Sequence, residues 1–319
     1  MSSGHLSTCN ALPDGLLECP AAKLGDMLRG PTLFDLSGGR KRTLFITVLQ
    51  HGNETSGWDA VRTLFAAGNA PPLMLFVANI DAARKNVRKL PDGVDFNRSW
   101  EGGDSPEAAI AREVTARAMA AEPLAAIDIH NNTGRNPPYS VVTRTDERSL
   151  GAAAAFAQRV IVIDHPGVQT RRFSEFCTAV TVEVGTARDP SSVDRARAYL
   201  ENAFQWREPP RASARQLYVY RNLARVLIDG GDGAVTPREE FEAFNFERAQ
   251  SGTVIANVFD SQALKAVDEH GADVTARYFK TTNGEVRLRR SVIPSMYTTD
   301  LRAARADCLC YLLEALPSS

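Results

Sequence analysis

Two short runs carry residue types that bind metals: His51-Gly52-Asn53-Glu54 and Asp128-Ile129-His130-Asn131. Each histidine stands just past a stretch that reads as a buried strand, Leu44 to Leu49 and Leu124 to Ile129. Such short apolar runs suit strands covered on both faces. A third run, Ala179 to Val184, carries Glu183 near its end. In an open parallel sheet, sites collect at the carboxyl ends of the strands. One rim would then hold two histidines and two glutamates. That is the inventory of a catalytic zinc site, where two histidines and a carboxylate hold the ion and a further carboxylate serves as general base. His51 and Glu54 are three positions apart, so one loop can offer both.

The elements that must position these residues alternate. Gly57 to Phe65 reads as a helix, Leu73 to Ala78 as a strand, and Ser105-Pro106-Glu107 as a helix start running to about Ala121. A helix over Leu150 to Gln158, a strand over Val160 to Ile163 and a helix over Ser191 to Phe204 follow. The expected fold class is α/β, a mostly parallel twisted sheet flanked by helices. The pattern changes after Asp229-Gly230-Gly231-Asp232-Gly233. Thr253 to Phe259 alternates, and Asn283-Gly284 between two alternating runs signals a hairpin. Two parts are therefore expected: a catalytic domain over 1–233 and a β-rich subdomain over 234–319, closed by a final helix over Ala303 to Leu313.

The chain has 319 residues, 37 Lys+Arg against 38 Asp+Glu and a formal charge of -1, with no basic excess of the kind a nucleic-acid binder shows. No apolar run approaches the ~18 residues that cross a bilayer, and the first twenty residues show no signal-peptide pattern, so no membrane role and a cytoplasmic protein are expected. The five cysteines, Cys9, Cys19, Cys177, Cys308 and Cys310, lack the spacing of a disulfide framework and read as free thiols.

The sequence resembles the aspartoacylase and succinylglutamate desuccinylase family of the zinc carboxypeptidase clan. The resemblance rests on His51-Gly52-Asn53-Glu54 with Gly57, Ala78-Asn79, Asp95-Phe96-Asn97-Arg98, Asp128-Ile129-His130-Asn131, Asp164-His165-Pro166 and Val182-Glu183-Val184-Gly185, in the family's order. It implies one zinc per chain held by His51, Glu54 and His130, with Glu183 as general base. It also implies that Asn97 and Arg98 bind the substrate's α-carboxylate, a task suited to the planar guanidinium fork. An arginine before that pair would polarise the scissile carbonyl; the loop is longer than usual here, and Arg88 is the first candidate with Arg84 second. Arg171 or Arg172 stands near the place of an arginine that binds a side-chain carboxylate, and Arg135 lies close to His130 in sequence. Tyr297 and Tyr139 could reach over the site. His165 reads as a loop histidine.

The activity implied is hydrolysis of an amide in a small N-acyl amino acid. Zinc would acidify a water, Glu183 would take its proton and pass it to the leaving amine, and Arg88 would support the oxyanion. A carboxypeptidase releasing a C-terminal residue from a short peptide is the alternative, and a non-catalytic zinc-binding member is a lesser one. A small-molecule or peptide substrate with a free carboxylate is the expected partner, with assembly into a homo-oligomer left open.

Overall fold

The computed structural model describes residues 5–231 and 233–317. The chain divides into two units, Met1–Asn131 with Pro138–Leu217, and Asn132–Pro137 with Tyr218–Ser319. The division falls earlier than the boundary expected after residue 233, because the long strand Tyr218–Ile228 belongs to the second unit.

The strands of the first unit are β1 (Ser7–Cys9), β2 (Thr32–Asp35), β3 (Leu44–Val48), β4 (Leu73–Val77), β5 (Ala125–His130), β6 (Tyr139–Val142), β7 (Arg159–Val162) and β8 (Thr178–Glu183). Its helices are α1 (Ser56–Ala66), α2 (Ile80–Arg84), α3 (Pro106–Ala121), α4 (Glu147–Ala154), α5 (Gln169–Phe173) and α6 (Ser191–Ala203). The strand order is β1-β2-β4-β3-β5-β8-β6-β7. The centre, β4-β3-β5-β8, is parallel, while β2 and β6 join it antiparallel. The sheet is therefore mixed and mostly parallel, as the alternation of elements implies.

Every residue of β3, β4 and β5 is buried, which explains their near-continuous apolar sequences. On one side Phe45, Phe76, Phe96, Trp100, Val114 and Phe173 pack into a common core. Helix α3 starts where its sequence signals place it: Ser105 accepts a hydrogen bond from Ala108 N, with Pro106 in the first turn. From β3 the chain runs to β4 on one side and then returns to β5 on the other. That reversal opens a crevice at the carboxyl ends of β3 and β5, where ligands bind in sheets of this kind.

The second unit holds β9 (Tyr218–Ile228), β10 (Val235–Pro237), β11 (Val254–Val258), β12 (Leu264–Val267), β13 (Phe279–Thr282), β14 (Glu285–Leu288), β15 (Ile293–Ser295) and β16 (Cys310–Ala315), with short helices α7 (Thr275–Tyr278) and α8 (Leu301–Ala306). Strands β10, β11, β14 and β13 form an antiparallel sheet. Asn283 and Gly284 turn its hairpin with φ of 52° and 78°, the double positive φ of a type I′ turn. The expected final helix is corrected. Only Leu301–Ala306 is helical; Cys310–Ala315 is a strand paired antiparallel with β9. The Ala- and Leu-rich stretch fits both periods, and pairing with a distant strand decides between them. All five cysteines are free, and Cys308 and Cys310 are buried. No helix among the described residues is long and apolar enough to cross a membrane.

Candidate metal centre

The loop after β3 is shaped by its backbone. Leu49 is fully buried and adopts φ 60°, a conformation a bulky residue takes only when its surroundings hold it there. The chain then turns through Gln50 and His51. At Gly52 a Cβ would lie 2.2 Å from the Ala82 carbonyl carbon and the Ala83 nitrogen, so only glycine lets the loop rest on α2. Helix α1 begins at Ser56, which leaves Glu54 on the loop beside His51. His130 is the last residue of β5, and Glu183, the last of β8, is its direct partner across the ladder.

Ligand atoms of His51, Glu54 and His130 all lie within 4.8 Å of one another, and all three residues are buried. His51 Nδ1 is 2.8 Å from Glu54 Oε1, and His130 Nδ1 is 2.8 Å from Glu54 Oε2. The far side of each ring meets an aspartate: His51 Nε2 is 3.0 Å from Asp95 Oδ1, and His130 Nε2 is 2.8 Å from Asp128 Oδ2. An ionised carboxylate only accepts, so each aspartate draws a proton to Nε2 and leaves Nδ1 facing Glu54, open to a proton or to a metal. Two imidazoles with backed outer nitrogens and a carboxylate between their inner ones form a donor set that fits zinc. Glu54 also accepts from Asn131 N at 3.1 Å, which fixes its plane.

The electrostatics agree. Burial alone would depress the basicity of His51, and Arg88 adds to that, yet Glu54 and Asp95 outweigh both and hold it above its ordinary value. His130, also penalised by burial, is held well above its ordinary value by Asp128 and Glu54. Burial pushes Glu54 up, but the two histidines overcome it and hold its carboxyl well below the usual range. Asp95 likewise resists burial through His51 and Arg88 and stays far below. The centre thus demands positive charge, which protons or a divalent cation can supply. Glu183 behaves oppositely: burial pushes it up to about 7, against the pull of His130. Its Oε2 is buried without a hydrogen-bond partner, as a base awaiting a proton donor would be.

No family model and no curated protein matches the chain by sequence. Solved structures do match by shape. A succinylglutamate desuccinylase from Chromobacterium violaceum superposes with TM-score 0.61 at 16% identity, covering 91% of this chain and 90% of that one. A succinylglutamate desuccinylase/aspartoacylase from Rhodobacter sphaeroides gives 0.62 at 18%, covering 91% and 89%. Murine aminoacylase 3 gives 0.58 at 16%, covering 87% and 96%. The chain has the succinylglutamate desuccinylase/aspartoacylase fold. The resemblance drawn from the ordered motifs is thus matched by the architecture.

Around the cluster, the structure sorts the remaining candidates. Arg88, not Arg84, stands at the centre: it is 9% exposed, with Nη2 2.9 Å from Asp95 Oδ2 and Nη1 3.8 Å from Glu54 Oε1. Arg84 is half exposed and pairs with Asp26 at 2.5 Å. Asn97 Nδ2 lies 3.5 Å from His130 Nε2, while its Oδ1 accepts from Gln169 N at 3.1 Å. Arg98 follows in the same short 3-10 turn, Phe96–Arg98, and its Nη1 donates to the Asn97 carbonyl at 2.8 Å. A Cβ on Gly167, at φ 86°, would stand 2.6 Å from the Arg98 carbonyl oxygen, so this close approach seats the turn. Tyr139 is buried on β6 directly opposite Glu183 and shares its face of the sheet.

Four substrate candidates find partners elsewhere. Tyr297 is buried inside the second unit, where its hydroxyl donates to the Ile255 carbonyl at 2.6 Å with that of Arg238 3.0 Å away, so it is a core tyrosine. Arg172 is paired with Glu175, and Arg171 with Asp164 at 2.7 Å and Glu175 at 2.8 Å. A substrate carboxylate would have to displace those acids. Arg135 belongs to the second unit, and its side chain is 89% exposed beside Glu242. His165 is half-buried and contacts the neighbouring Pro166 carbonyl. Sequence reasoning quoted Asp95 and Asp128 without giving them work and passed over Gln50 and Trp100. Asp128 was findable, because residues two apart on a strand share a face and His130 is its neighbour in that sense.

Proposed function

We propose that this chain is a zinc-dependent hydrolase that removes the acyl group from small N-acyl amino acids. The observation that carries the reading is the pair of imidazoles, each backed by its own aspartate, turned onto Glu54 beside the desolvated Glu183. The fold supports it, since its solved neighbours include a succinylglutamate desuccinylase and an aminoacylase. His51, Glu54 and His130 would hold the ion. Zinc bound there supplies Lewis acidity, which lowers the pKa of water at the site from near 16 to about 7 and polarises a carbonyl.

The chain's own groups supply the rest. Glu183 Oε takes the proton of the attacking water and delivers it to the nitrogen of the leaving amine, a shuttle suited to a carboxyl held near neutrality. Arg88, locked by Asp95, presents fixed positive charge to the oxygen on which negative charge develops. Arg98 and Asn97 bind the free carboxylate of the amino acid, which places the amide against the metal ligands.

The test measures metal content of the purified protein and then hydrolysis of N-acyl amino acids and short peptides. About one zinc per chain, with chelator-sensitive release of a free amino acid, supports the reading. Preference for peptides would move it to a carboxypeptidase, and no hydrolysis after zinc addition would sink it.

A further inference from the structure

Behind His130 runs a buried polar chain that begins at an indole. Trp100 Nε1 donates to Gln50 Oε1 at 2.7 Å. Gln50 Nε2 donates to Asp128 Oδ2 at 2.6 Å, and the same oxygen accepts from His130 Nε2 at 2.8 Å. Trp100 is 2% exposed, Gln50 1%, Asp128 2% and His130 4%. Water therefore cannot replace a missing partner at little cost.

The direction of this chain is dictated at both ends. An indole nitrogen can only donate, so it draws the amide oxygen of Gln50. The NH2 is thereby turned to Asp128, which as a carboxylate can only accept. The indole itself is held by Phe76, Phe96 and Phe173, with ring centroids 6.2, 6.2 and 5.6 Å away. The two aspartates are anchored differently. Asp95, behind His51, is clamped by the Arg88 guanidinium at 2.9 and 3.0 Å. Besides His130, Asp128 is held among the described residues by neutral donors, Gln50 and, at 3.5 Å, the Thr181 hydroxyl. The orientation of the His130 ring thus depends on Gln50 in a way that the His51 ring does not.

We infer that Gln50, oriented by Trp100, is a positioning residue for metal binding, acting through Asp128 on His130. Gln50 also adjoins His51, so one residue ties the loop carrying the first two ligands to the strand carrying the third. The inference rests on the zinc reading of the site but concerns residues that touch neither metal nor substrate.

The experiment is a double-mutant cycle read as zinc affinity by chelator competition, on full-length Gln50→Met, Trp100→Phe and the double variant. Methionine keeps the volume of Gln50 without its amide, and phenylalanine keeps a ring in the aromatic cluster without the donor. Outer partners of metal ligands carry about 10- to 100-fold in affinity. We expect zinc Kd to rise at least about tenfold in Gln50→Met and less in Trp100→Phe. The double variant should be no worse than Gln50→Met, since a chain broken once is not broken again. The visible spectrum of cobalt bound in place of zinc should shift in Gln50→Met, which loss of packing alone would not cause. Folded variants that unfold earlier yet bind zinc within twofold of the wild type would overturn the assignment. If the wild-type chain binds no zinc, the deacylase reading falls and this assignment falls with it.

Discussion

Replacing Glu183 by glutamine should raise the stability of the metal-free protein while abolishing turnover of the loaded one. The carboxyl is 9% exposed, its Oε2 has no partner, and burial moves it from an ordinary value of 4.5 to about 7. The unfolded chain gives up this proton near 4.5, whereas the folded chain keeps it until about 7. Folding therefore binds a proton in that window, and stability falls as pH rises through it. The span between the two values corresponds to roughly 3 kcal/mol, present below the lower value and lost above the upper one. Glutamine has no such proton to lose. Urea unfolding of metal-free wild type and Glu183→Gln at pH 4.5 and pH 8 should give curves that diverge, with the variant gaining about 3 kcal/mol relative to wild type at the higher pH. Other titrating groups are common to both proteins and largely cancel. At the same time kcat of the zinc-loaded variant should fall by at least about 100-fold with zinc still bound. Parallel stability profiles would refute the claim that Glu183 is desolvated, and retained turnover would refute its role as base.

Zinc at a hundredfold excess over its Kd should stabilise the wild type by about 2.7 kcal/mol in the same unfolding assay, and His130→Ala should lose that gain. Arg88→Ala should lower kcat, because it removes the cation beside Glu54, whereas Arg84→Ala, which breaks only a surface pair with Asp26, should leave kcat within twofold. Gly52→Ala must push the His51 loop away from α2 by about 1 Å, since its Cβ would meet backbone at 2.2 Å; zinc binding should weaken and activity drop by about 100-fold, and unchanged zinc affinity would show that the loop does not depend on this contact.

The central strands were legible because β3, β4 and β5 are short apolar runs buried on both faces, and no helix of normal length fits them. His130 and Glu183 were legible because they end β5 and β8, and His51 and Glu54 because they follow β3 closely. What escaped was non-local. Strand β9 carries Arg221, Asn222 and Arg225 among its apolar residues, so no clean alternation marks it, and it exists through its pairing with β12 and β16. The same pairing turned an expected helix into β16. Within the site, Gln50 and Trp100 are fifty positions apart and meet in the fold, where Gln50 follows the positive-φ Leu49 and the aromatic core holds the indole. Tyr297 shows the converse: a tyrosine in an unpatterned segment looks available, and the fold gives its hydroxyl the Ile255 carbonyl.

The ladder that sets His130 opposite Glu183 has a consequence in time. His51, Glu54, His130 and Glu183 come from loops and strands far apart in sequence, so nothing local can assemble them. Parallel pairing at such separations forms late, after long loops have closed. A metal that meets the unfolded chain finds only the His51–Glu54 fragment, too little to nucleate structure. In refolding experiments zinc should leave the folding rate nearly unchanged and slow unfolding. The ion would govern how long a finished molecule lasts, and the sheet alone how soon it is made.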